Sequence, residues 1–272
     1  MRIITDSTCD INLDITDKME VSVTPLKVNF GMKEYVDKYE LSSKKFFEML
    51  EESEVIPTTT LVSAGEFEDE FSKHNEEIVG IFISSKISGT FQAAQMAKKA
   101  LGREDIYLVD SGTASLGLGL LVRKAVQLRE QGLSAKEIYD ELNVVKEKLV
   151  VYAMVDTLKY LVKGGRLSKT QGMLGSFLSV KPIICVSQGK IESVGKARGV
   201  SKSLDLLVSL VNQNYTMKKE EQVVFTFSKN PELLGVIKER FPACKNSVDC
   251  EMGSVIGTHV GPNVMGIAFF YE

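Results

Sequence analysis

Histidine and cysteine are scarce in this chain of 272 residues, which contains two histidines and four cysteines. The histidines, His74 and His259, lie far apart, and no two cysteines form a CxxC pair. Zinc sites need such ligands in close clusters. We therefore expect no metal site, and the sequence indicates no cofactor.

Long apolar runs and a strong net charge are also missing. No run approaches the roughly 20 apolar residues that a membrane-spanning helix needs, and residues 1–4 lead directly into a strand pattern rather than a signal peptide. The formal net charge of −3 gives no reason to expect nucleic acid or an acidic membrane surface as a partner. The sequence thus predicts a cytoplasmic protein that binds no nucleic acid and does not insert stably into a membrane, with its cysteines as free thiols.

Two common enzyme signatures are absent as well. The chain has neither the GxxxxGK[ST] spacing of a P-loop nor the GxSxG elbow of many hydrolases. Two enzymatic alternatives nevertheless stay open. One is an esterase with Ser88 as nucleophile and His259 as base, completed by Asp6, Asp110 or Asp156. The other is a phosphotransferase that uses the loop of residues 88–90.

The first half of the chain alternates between strand and helix patterns. Short continuous apolar runs at residues 2–6, 78–83 and 106–109 are typical of strands buried on both faces of a parallel sheet. The last two runs are each followed by a hydroxyl-rich loop and then by a helical pattern. This alternation predicts a doubly wound, mostly parallel α/β domain, for which we assign residues 1–150.

The second half mixes helix starts with strands that look antiparallel. The turn Gln188-Gly189 predicts a hairpin, and further strands are expected at residues 223–227, 248–251 and 264–271. Residues 151–272 are therefore assigned to a C-terminal α/β domain with a mixed sheet, and a cleft is expected between the two domains. Capping boxes predict three helix starts, at Ser63, Ser134 and Ser168–Gln171.

Hydroxyl-rich loops recur where predicted strands end, and they point to an anion site. Loops beyond the carboxyl ends of strands line the ligand crevice in open α/β sheets. One imidazole, His259, together with hydroxyls and backbone N–H groups suits a small anion. Ser88 either caps a helix or donates to that anion, and Gly89 would let the backbone approach it closely. The loops lie at residues 6–10, 57–60, 84–90 and 110–113.

The other candidate residues each have a purely structural alternative. The threonines of residues 58–60 are either ligand-binding or a strand edge. Asp6 either orients other groups or forms an Asx turn. Arg166, after two glycines, either reaches the cleft or is a solvated loop charge. Taken alone, His259 fits a structural histidine as well as a functional one.

Five motifs in the same order along the whole chain resemble those of the DegV family of fatty-acid-binding proteins, whose members include the FakB subunits of bacterial fatty acid kinase. One segment departs from the family pattern, since Leu61 and Val62 stand where the family usually has Gln-Pro. The matching motifs are Asp6-Ser7-Thr8-Cys9-Asp10, residues 84–92, Asp110-Ser111, residues 164–168 (Gly-Gly-Arg-Leu-Ser) and residues 257–262 (Gly-Thr-His-Val-Gly-Pro).

The resemblance implies a long acyl chain in a buried tunnel between the two domains, with its carboxylate held by loop hydroxyls. Carried over, Thr59 and Ser88 would bind the carboxylate, and Arg166 and His259 would extend the network behind it. Neighbours of these hydroxyls complete the predicted site: Thr60, Gly89 and Thr90.

In FakB-like members the protein presents the carboxylate to a separate ATP-dependent kinase, which makes acyl phosphate for phospholipid synthesis. The resemblance thus implies a fatty acid kinase catalytic subunit as partner and no catalytic residue in this chain. Arg198, which follows the predicted hairpin strand, is the candidate docking residue; the alternative is an ordinary solvated charge. A lipid store or sensor without a kinase stays open as a further class.

Overall fold

Strands and helices alternate along most of the chain. The computed structural model describes residues 1–168, 179–218 and 220–272. Up to residue 145 the elements are β1 (Arg2–Asp6), α1 (Leu13–Lys18), β2 (Val21–Thr24), β3 (Lys27–Phe30), β4 (Lys33–Val36), α2 (Ser43–Glu52), β5 (Thr58–Thr60), α3 (Ala64–Ser72), β6 (Ile78–Phe82), α4 (Thr90–Leu101), β7 (Ile106–Asp110), α5 (Leu116–Glu130) and α6 (Ala135–Val145).

The remaining elements follow a short 3-10 turn at Lys146–Lys148. They are β8 (Leu149–Met154), α7 (Lys159–Lys163), β9 (Val180–Ser187), β10 (Lys190–Arg198), α8 (Val200–Asn214), β11 (Val223–Phe227), α9 (Glu232–Lys238), β12 (Ser247–Glu251), α10 (Ser254–Val260) and β13 (Met265–Phe270). None of these helices has both the length and the apolar character that crossing a membrane requires.

The predicted parallel sheet is confirmed. Its four strands lie in the order β2-β1-β6-β7, and every pairing within it is parallel. All five residues of β6 are buried, as its continuous apolar run predicts for a strand covered on both faces. A small antiparallel sheet, β4-β3-β5, is attached to this part of the chain and carries the threonines of residues 58–60.

The second large sheet is mixed, as the sequence predicted. Its six strands lie in the order β10-β9-β8-β13-β11-β12, with β11 and β12 parallel and the other pairs antiparallel. The predicted hairpin joins β9 to β10. Gln188 and Gly189 both have positive φ, 47° and 78°, as a two-residue hairpin turn that follows the strand twist requires.

Local capping signals locate the helix starts correctly where the structure describes them. Ser63 and Ser134 each accept a hydrogen bond from the backbone N–H three residues on, and the glutamate at that position accepts one from the backbone N–H of the cap residue. The third capping box ends at Gln171, outside the described residues.

The helix α5 joins the two large sheets. It packs against β1 and β6 on one side and against β8, β11 and β13 on the other, and ten of its fifteen residues are buried. A Cβ atom at Gly119 would lie 2.5 Å from the carbonyl oxygen of Cys9, so only glycine allows this close approach. The start of α5 is thereby fixed between the sheets. The domain boundary at residue 150 stays a prediction.

Candidate functional site

A largely apolar cavity lies where the loops after β2, β6 and β7 meet one face of the mixed sheet and the helix α10. This is the carboxyl edge of the parallel strands, where ligands bind in open α/β sheets. Its atom-free volume is about 770 Å³, part of which opens to solvent. Its apolar lining comes from Leu26, Ile83, Ile87, Ala114, Leu116, Val151, Ala153, Ile184, Cys185, Val186, Ile191, Met252, Val255, Ile256, Val260 and Val264.

Five polar side chains also line this cavity. Four of them, Thr59, Ser88, Arg166 and His259, were predicted as site residues, and we call this group the polar end. The fifth, Ser115, was not predicted. Thr59, Arg166 and His259 also line a second, more open pocket that leads to the surface. The polar end therefore lies at the mouth of the cavity, and the aliphatic lining forms its interior.

His259 lies in the last turn of α10 and is joined to Thr59 across the cavity mouth. Its Nε2 atom lies 3.0 Å from Oγ1 of Thr59. The alternation of a strand explains why only the middle threonine of β5 takes part, because Thr58 and Thr60 point to the opposite face and are exposed. The imidazole and the hydroxyl thus form one hydrogen-bonded unit.

His259 is neutral at physiological pH. Burial, together with the nearby positive charge of Arg166, lowers the pKa of its imidazole to about 4. The Nδ1 atom is buried without a hydrogen-bond partner in the described structure. In the tautomer that carries its proton on Nε2, the ring donates to Thr59, and the hydroxyl proton of Thr59 is then available to an anion in the cavity.

Gly164 makes the close packing around His259 possible. A Cβ atom at this position would collide with Nδ1 of the imidazole, so the backbone at the end of α7 can lie against the ring only because residue 164 is glycine. The same backbone supports Arg166, since Nη1 of the guanidinium donates to the carbonyl of Gly164 at 2.6 Å.

Arg166 supplies the positive charge of the polar end. Its Nε donates to the carbonyl of Ile87 at 3.1 Å, so two backbone carbonyls fix the guanidinium. None of the ion pairs found in the described part of the chain involves Arg166. Burial lowers its pKa from the usual value, yet an arginine remains charged at neutral pH. The charge is therefore held in place without a compensating carboxylate there.

Ser88 lies two residues before α4 and directly follows Ile87, whose carbonyl accepts from Arg166. Its Oγ lies 2.9 Å from Oγ1 of Thr90 and accepts a bond from the backbone N–H of Thr90 at 3.3 Å. Ser88 therefore bonds the first residue of the helix and also lines the cavity, while its role as a donor to an anion stays a prediction. Gly89 is the helix cap residue, and Leu61 packs directly against it.

The remaining predicted residues do not line the cavity. Thr90 is fully buried behind Ser88. Thr60 is exposed and accepts a hydrogen bond from Asn29 at 2.9 Å, on the face of β5 opposite to Thr59. Arg198 is exposed at the end of β10, where its Nε donates to Ser179 at 3.2 Å.

The geometry of a catalytic triad is not found among the described residues. Ser88 bonds to Thr90 and His259 bonds to Thr59, and no hydrogen bond joins Ser88 to His259. The three candidate third members are all engaged elsewhere: Asp6 with Thr8 and Ile83, Asp110 with Ser85 and Gly112, and Asp156 with Lys181. The described ranges also contain no cluster of three or more side chains that could hold a metal ion.

Sequence reasoning missed two features of the site. The segment that carries His259 is a short helix, although its glycines suggested only a link between apolar runs. Ser115 lines the cavity and caps α5 with φ 54° and ψ −130°, a conformation that is strained for any residue except glycine. No local sequence pattern predicts either feature, because both depend on contacts with distant parts of the chain.

Comparisons with known proteins give a family match over the whole chain. A family model described as "Uncharacterised protein, DegV family" matches residues 1–272. A DegV domain-containing protein of Clostridium acetobutylicum is 36% identical over 276 residues, which cover 100% of this chain and 98% of that protein.

Solved structures show the same fold. A DegV family protein from Thermus thermophilus, whose structure is described as showing fatty acid binding, superposes with a TM-score of 0.89 at 29% identity. The match covers 100% of this chain and 100% of that one. The fatty acid kinase B3 protein of Streptococcus pneumoniae, loaded with linoleic acid, superposes with a TM-score of 0.87 at 22% identity, covering 100% of this chain and 99% of that one. This second likeness concerns the fold alone.

Proposed function

The chain belongs to the DegV family, and from that membership we propose that it binds a long-chain fatty acid, with the acyl chain in the apolar cavity and the carboxylate at the polar end. The observation that carries this proposal is the composition of the lining. Aliphatic side chains line the interior, and a fixed positive charge and hydroxyl groups lie at the mouth. The fatty acid binding described for the Thermus thermophilus protein supports it.

The apolar interior accounts for affinity. Each methylene group transferred from water contributes about 0.8 kcal/mol, so a long acyl chain supplies most of the binding free energy. A short polar ligand would leave most of this lining unused.

The polar end accounts for orientation. A carboxylate that enters among Thr59, Ser88 and Arg166 meets hydroxyl donors and a guanidinium, and hydrogen bonds to charged groups are the stronger ones. Neutral His259 does not compete as a second cation; it holds the hydroxyl of Thr59 instead.

The direct test is mass spectrometry of lipid extracted from freshly purified protein under denaturing conditions. We expect a long-chain fatty acid in roughly stoichiometric amount, and a rise in melting temperature when oleate or palmitate is added to delipidated protein, because a ligand that binds only the native state stabilises it. Repeated recovery of lipid-free protein, with no thermal shift on adding either acid, would contradict the proposal.

Ser88→Ala separates a binding protein from an esterase. In a binding protein this change removes one hydrogen bond to a charged group, worth about 1.5–3 kcal/mol, and leaves burial of the acyl chain intact. If pure wild-type protein hydrolysed acyl esters and Ser88→Ala abolished that activity, an esterase would replace the binding function.

We further propose that the bound carboxylate is presented to an ATP-dependent fatty acid kinase, which would make acyl phosphate for phospholipid synthesis. The family motifs and the fold shared with the Streptococcus pneumoniae protein support this step. Arg198 is the proposed contact, since it is exposed and a cationic surface residue suits an acidic partner face.

Charge reversal tests this contact. We expect Arg198→Glu to retain oleate affinity and melting temperature but to lower acyl phosphate formation with the kinase from the same organism, with partial recovery at higher protein concentration. Lys190→Glu, at the opposite end of β10 and equally exposed, is the matched control. An equal loss of acyl phosphate formation in both variants, or no loss in Arg198→Glu, would show that Arg198 does not contact the kinase. A protein that supports no acyl phosphate formation at all would instead fit a lipid store or sensor.

A further inference from the structure

The segment of residues 6–10, at the end of β1, lies outside the cavity, yet its polar side chains bond to the cavity walls. Oδ2 of Asp6 accepts from the backbone N–H of Ile83 at 2.8 Å, and Oγ of Ser7 accepts from the backbone N–H of Leu26 at 3.1 Å. Both Ile83 and Leu26 line the cavity. This first motif of the sequence therefore shapes the walls indirectly.

Asp10 extends this pattern to two walls at once. Its carboxylate is 2% exposed, and its two oxygens have different partners. Oδ2 accepts from Oγ of Ser115 at 2.6 Å, and Oδ1 accepts from the backbone N–H of Gly253 at 3.0 Å. Ser115 begins α5, and Gly253 precedes α10. One side chain thus ties together the starts of two helices that border the cavity.

The bond to Ser115 holds a strained residue. The hydroxyl of Ser115 donates to Asp10, and its side chain makes no capping hydrogen bond to α5. Strained backbone conformations persist only where the surroundings fix them. The carboxylate of Asp10 is one such restraint, and Ser115 itself lines the cavity.

The bond to Gly253 anchors the helix that carries His259. A Cβ atom at residue 253 would lie 2.7 Å from Oδ1 of Asp10, so glycine is what allows the carboxylate to reach this backbone N–H. The next residue, Ser254, donates to the buried carboxylate of Asp37 at 2.5 Å. The start of α10 is therefore held by two carboxylates, and His259 lies at its other end.

We propose that Asp10 is a positioning residue for the fatty-acid site, which holds Ser115 and the helix of His259 in the arrangement that the ligand requires. The effect on ligand binding rests on the proposed function. The effect on the positions of Ser115 and of the helix that carries His259 does not. Asp10 has no contact with the cavity itself and acts only through these two bonds.

The electrostatics of Asp10 support a role other than stability. Burial raises the pKa of its carboxyl to about 7, while the charge of Lys38 and the bond from Ser115 oppose that rise and the charge of Asp37 adds to it. Removal of a carboxylate from water is costly even when it is bonded. Burial of this carboxyl group therefore opposes folding, and stability does not explain its position, whereas its two bonds to the starts of α5 and α10 do.

Two substitutions at Asp10 separate geometry from charge. Asp10→Asn retains the shape and offers an oxygen to Gly253 and an amide to Ser115, whereas Asp10→Ala removes both bonds. We expect oleate affinity to fall on the order of tenfold in Asp10→Ala, the size expected from loss of a buried hydrogen bond. Asp10→Asn should stay within a few-fold of wild type.

The titration of His259, followed by NMR in ligand-free protein, gives a readout that a general loss of stability would not move. In Asp10→Ala we expect the pKa of His259 to rise from about 4 towards its usual value, because a loosened α10 admits water, while in the Asp10→Asn protein it remains as in wild type. An equal rise in both variants, or none in Asp10→Ala, would overturn the inference.

Gly253→Ala tests the same bond from the other side and covers the case in which Asp10→Ala does not fold. The added methyl group should displace the carboxylate from α10 and reproduce the rise in the pKa of His259. Gly235→Ala, in α9, adds a methyl group with no atom within 4 Å and is the matched control. Unaltered titration of His259 in Gly253→Ala would contradict the proposal, whereas failure of wild-type protein to bind oleate would contradict only the proposed function.

Discussion

The mouth and the interior of the cavity are built on opposite principles. At the mouth, Thr59, Arg166 and His259 are each fixed by a hydrogen bond to another protein group. In the interior, aliphatic side chains offer only shape and apolar area. Apolar contacts are non-directional and scale with area, whereas hydrogen bonds are directional and contribute little net free energy. From this difference we expect the interior to supply most of the affinity for the proposed ligand and the mouth to fix the direction in which it lies.

The largest expected effect comes from filling the interior. Ala153 lies on β8 with its side chain in the cavity wall. Ala153→Phe should weaken oleate binding by roughly 150-fold or more, because displacing even four methylene groups costs about 3 kcal/mol. Isothermal titration of delipidated protein with oleate measures this.

The neighbouring residue provides the control. Tyr152 points to the other side of β8 and lines a separate polar cleft, so Tyr152→Phe should leave oleate affinity unaltered. If Ala153→Phe retained full affinity at an unaltered melting temperature, the acyl chain would lie elsewhere, and the division between interior and mouth would be wrong.

The next largest effect is expected at Arg166. Loss of hydrogen bonds to a charged group costs about 1.5–3 kcal/mol, so Arg166→Gln should weaken oleate binding roughly 10- to 150-fold. Methyl oleate has the same acyl chain but no carboxylate, and its affinity should be equal in the two proteins. Arg166→Lys, which retains the charge, should recover part of the loss. A similar loss for methyl oleate would mean that Arg166 supports the wall rather than the anion.

A smaller effect is expected from acidification. The imidazole of His259 has a pKa lowered to about 4 in the folded protein, mainly by burial, against 6.5 for an ordinary histidine. Between these values the unfolded state binds more protons, so the contribution of His259 to stability is complete above pH 6.5 and is lost as the pH falls towards 4. His259→Gln should therefore flatten the dependence of melting temperature on pH in this window. Parallel curves for the two proteins would show that the imidazole is not buried in neutral form.

The sequence predicted what depends on local patterns and on motifs. Continuous apolar runs predicted the parallel strands, Gln188-Gly189 predicted the hairpin, and capping boxes predicted the starts of α3 and α6. The polar end also came from the sequence, but through the family motifs, since no spacing rule joins Thr59 to His259, which lie 200 residues apart.

What the sequence did not predict depends on long-range contacts. The hydrogen bonds that Asp10 accepts from Ser115 and Gly253 join residues 105 and 243 positions apart. Hydrophobic periodicity within a short window cannot predict such pairs. The helix α10 was missed for a related reason. Its glycines are poor helix formers, yet Gly257 is needed because a Cβ atom there would lie 2.6 Å from the ring of Phe46.

The smallest expected effect distinguishes two adjacent threonines that the sequence assigned to the same site. Thr59 faces His259, whereas Thr60 faces Asn29 and solvent on the other side of β5. Thr59→Val removes a hydroxyl at the mouth and should weaken oleate binding on the order of tenfold. Thr60→Val should leave it unaltered and shift stability by no more than about 0.5 kcal/mol, as is usual for exposed positions. The two valines have the same size and strand preference, so a difference between them measures only the direction of the hydroxyl. Equal losses would place both hydroxyls at the mouth and contradict the strand alternation of β5.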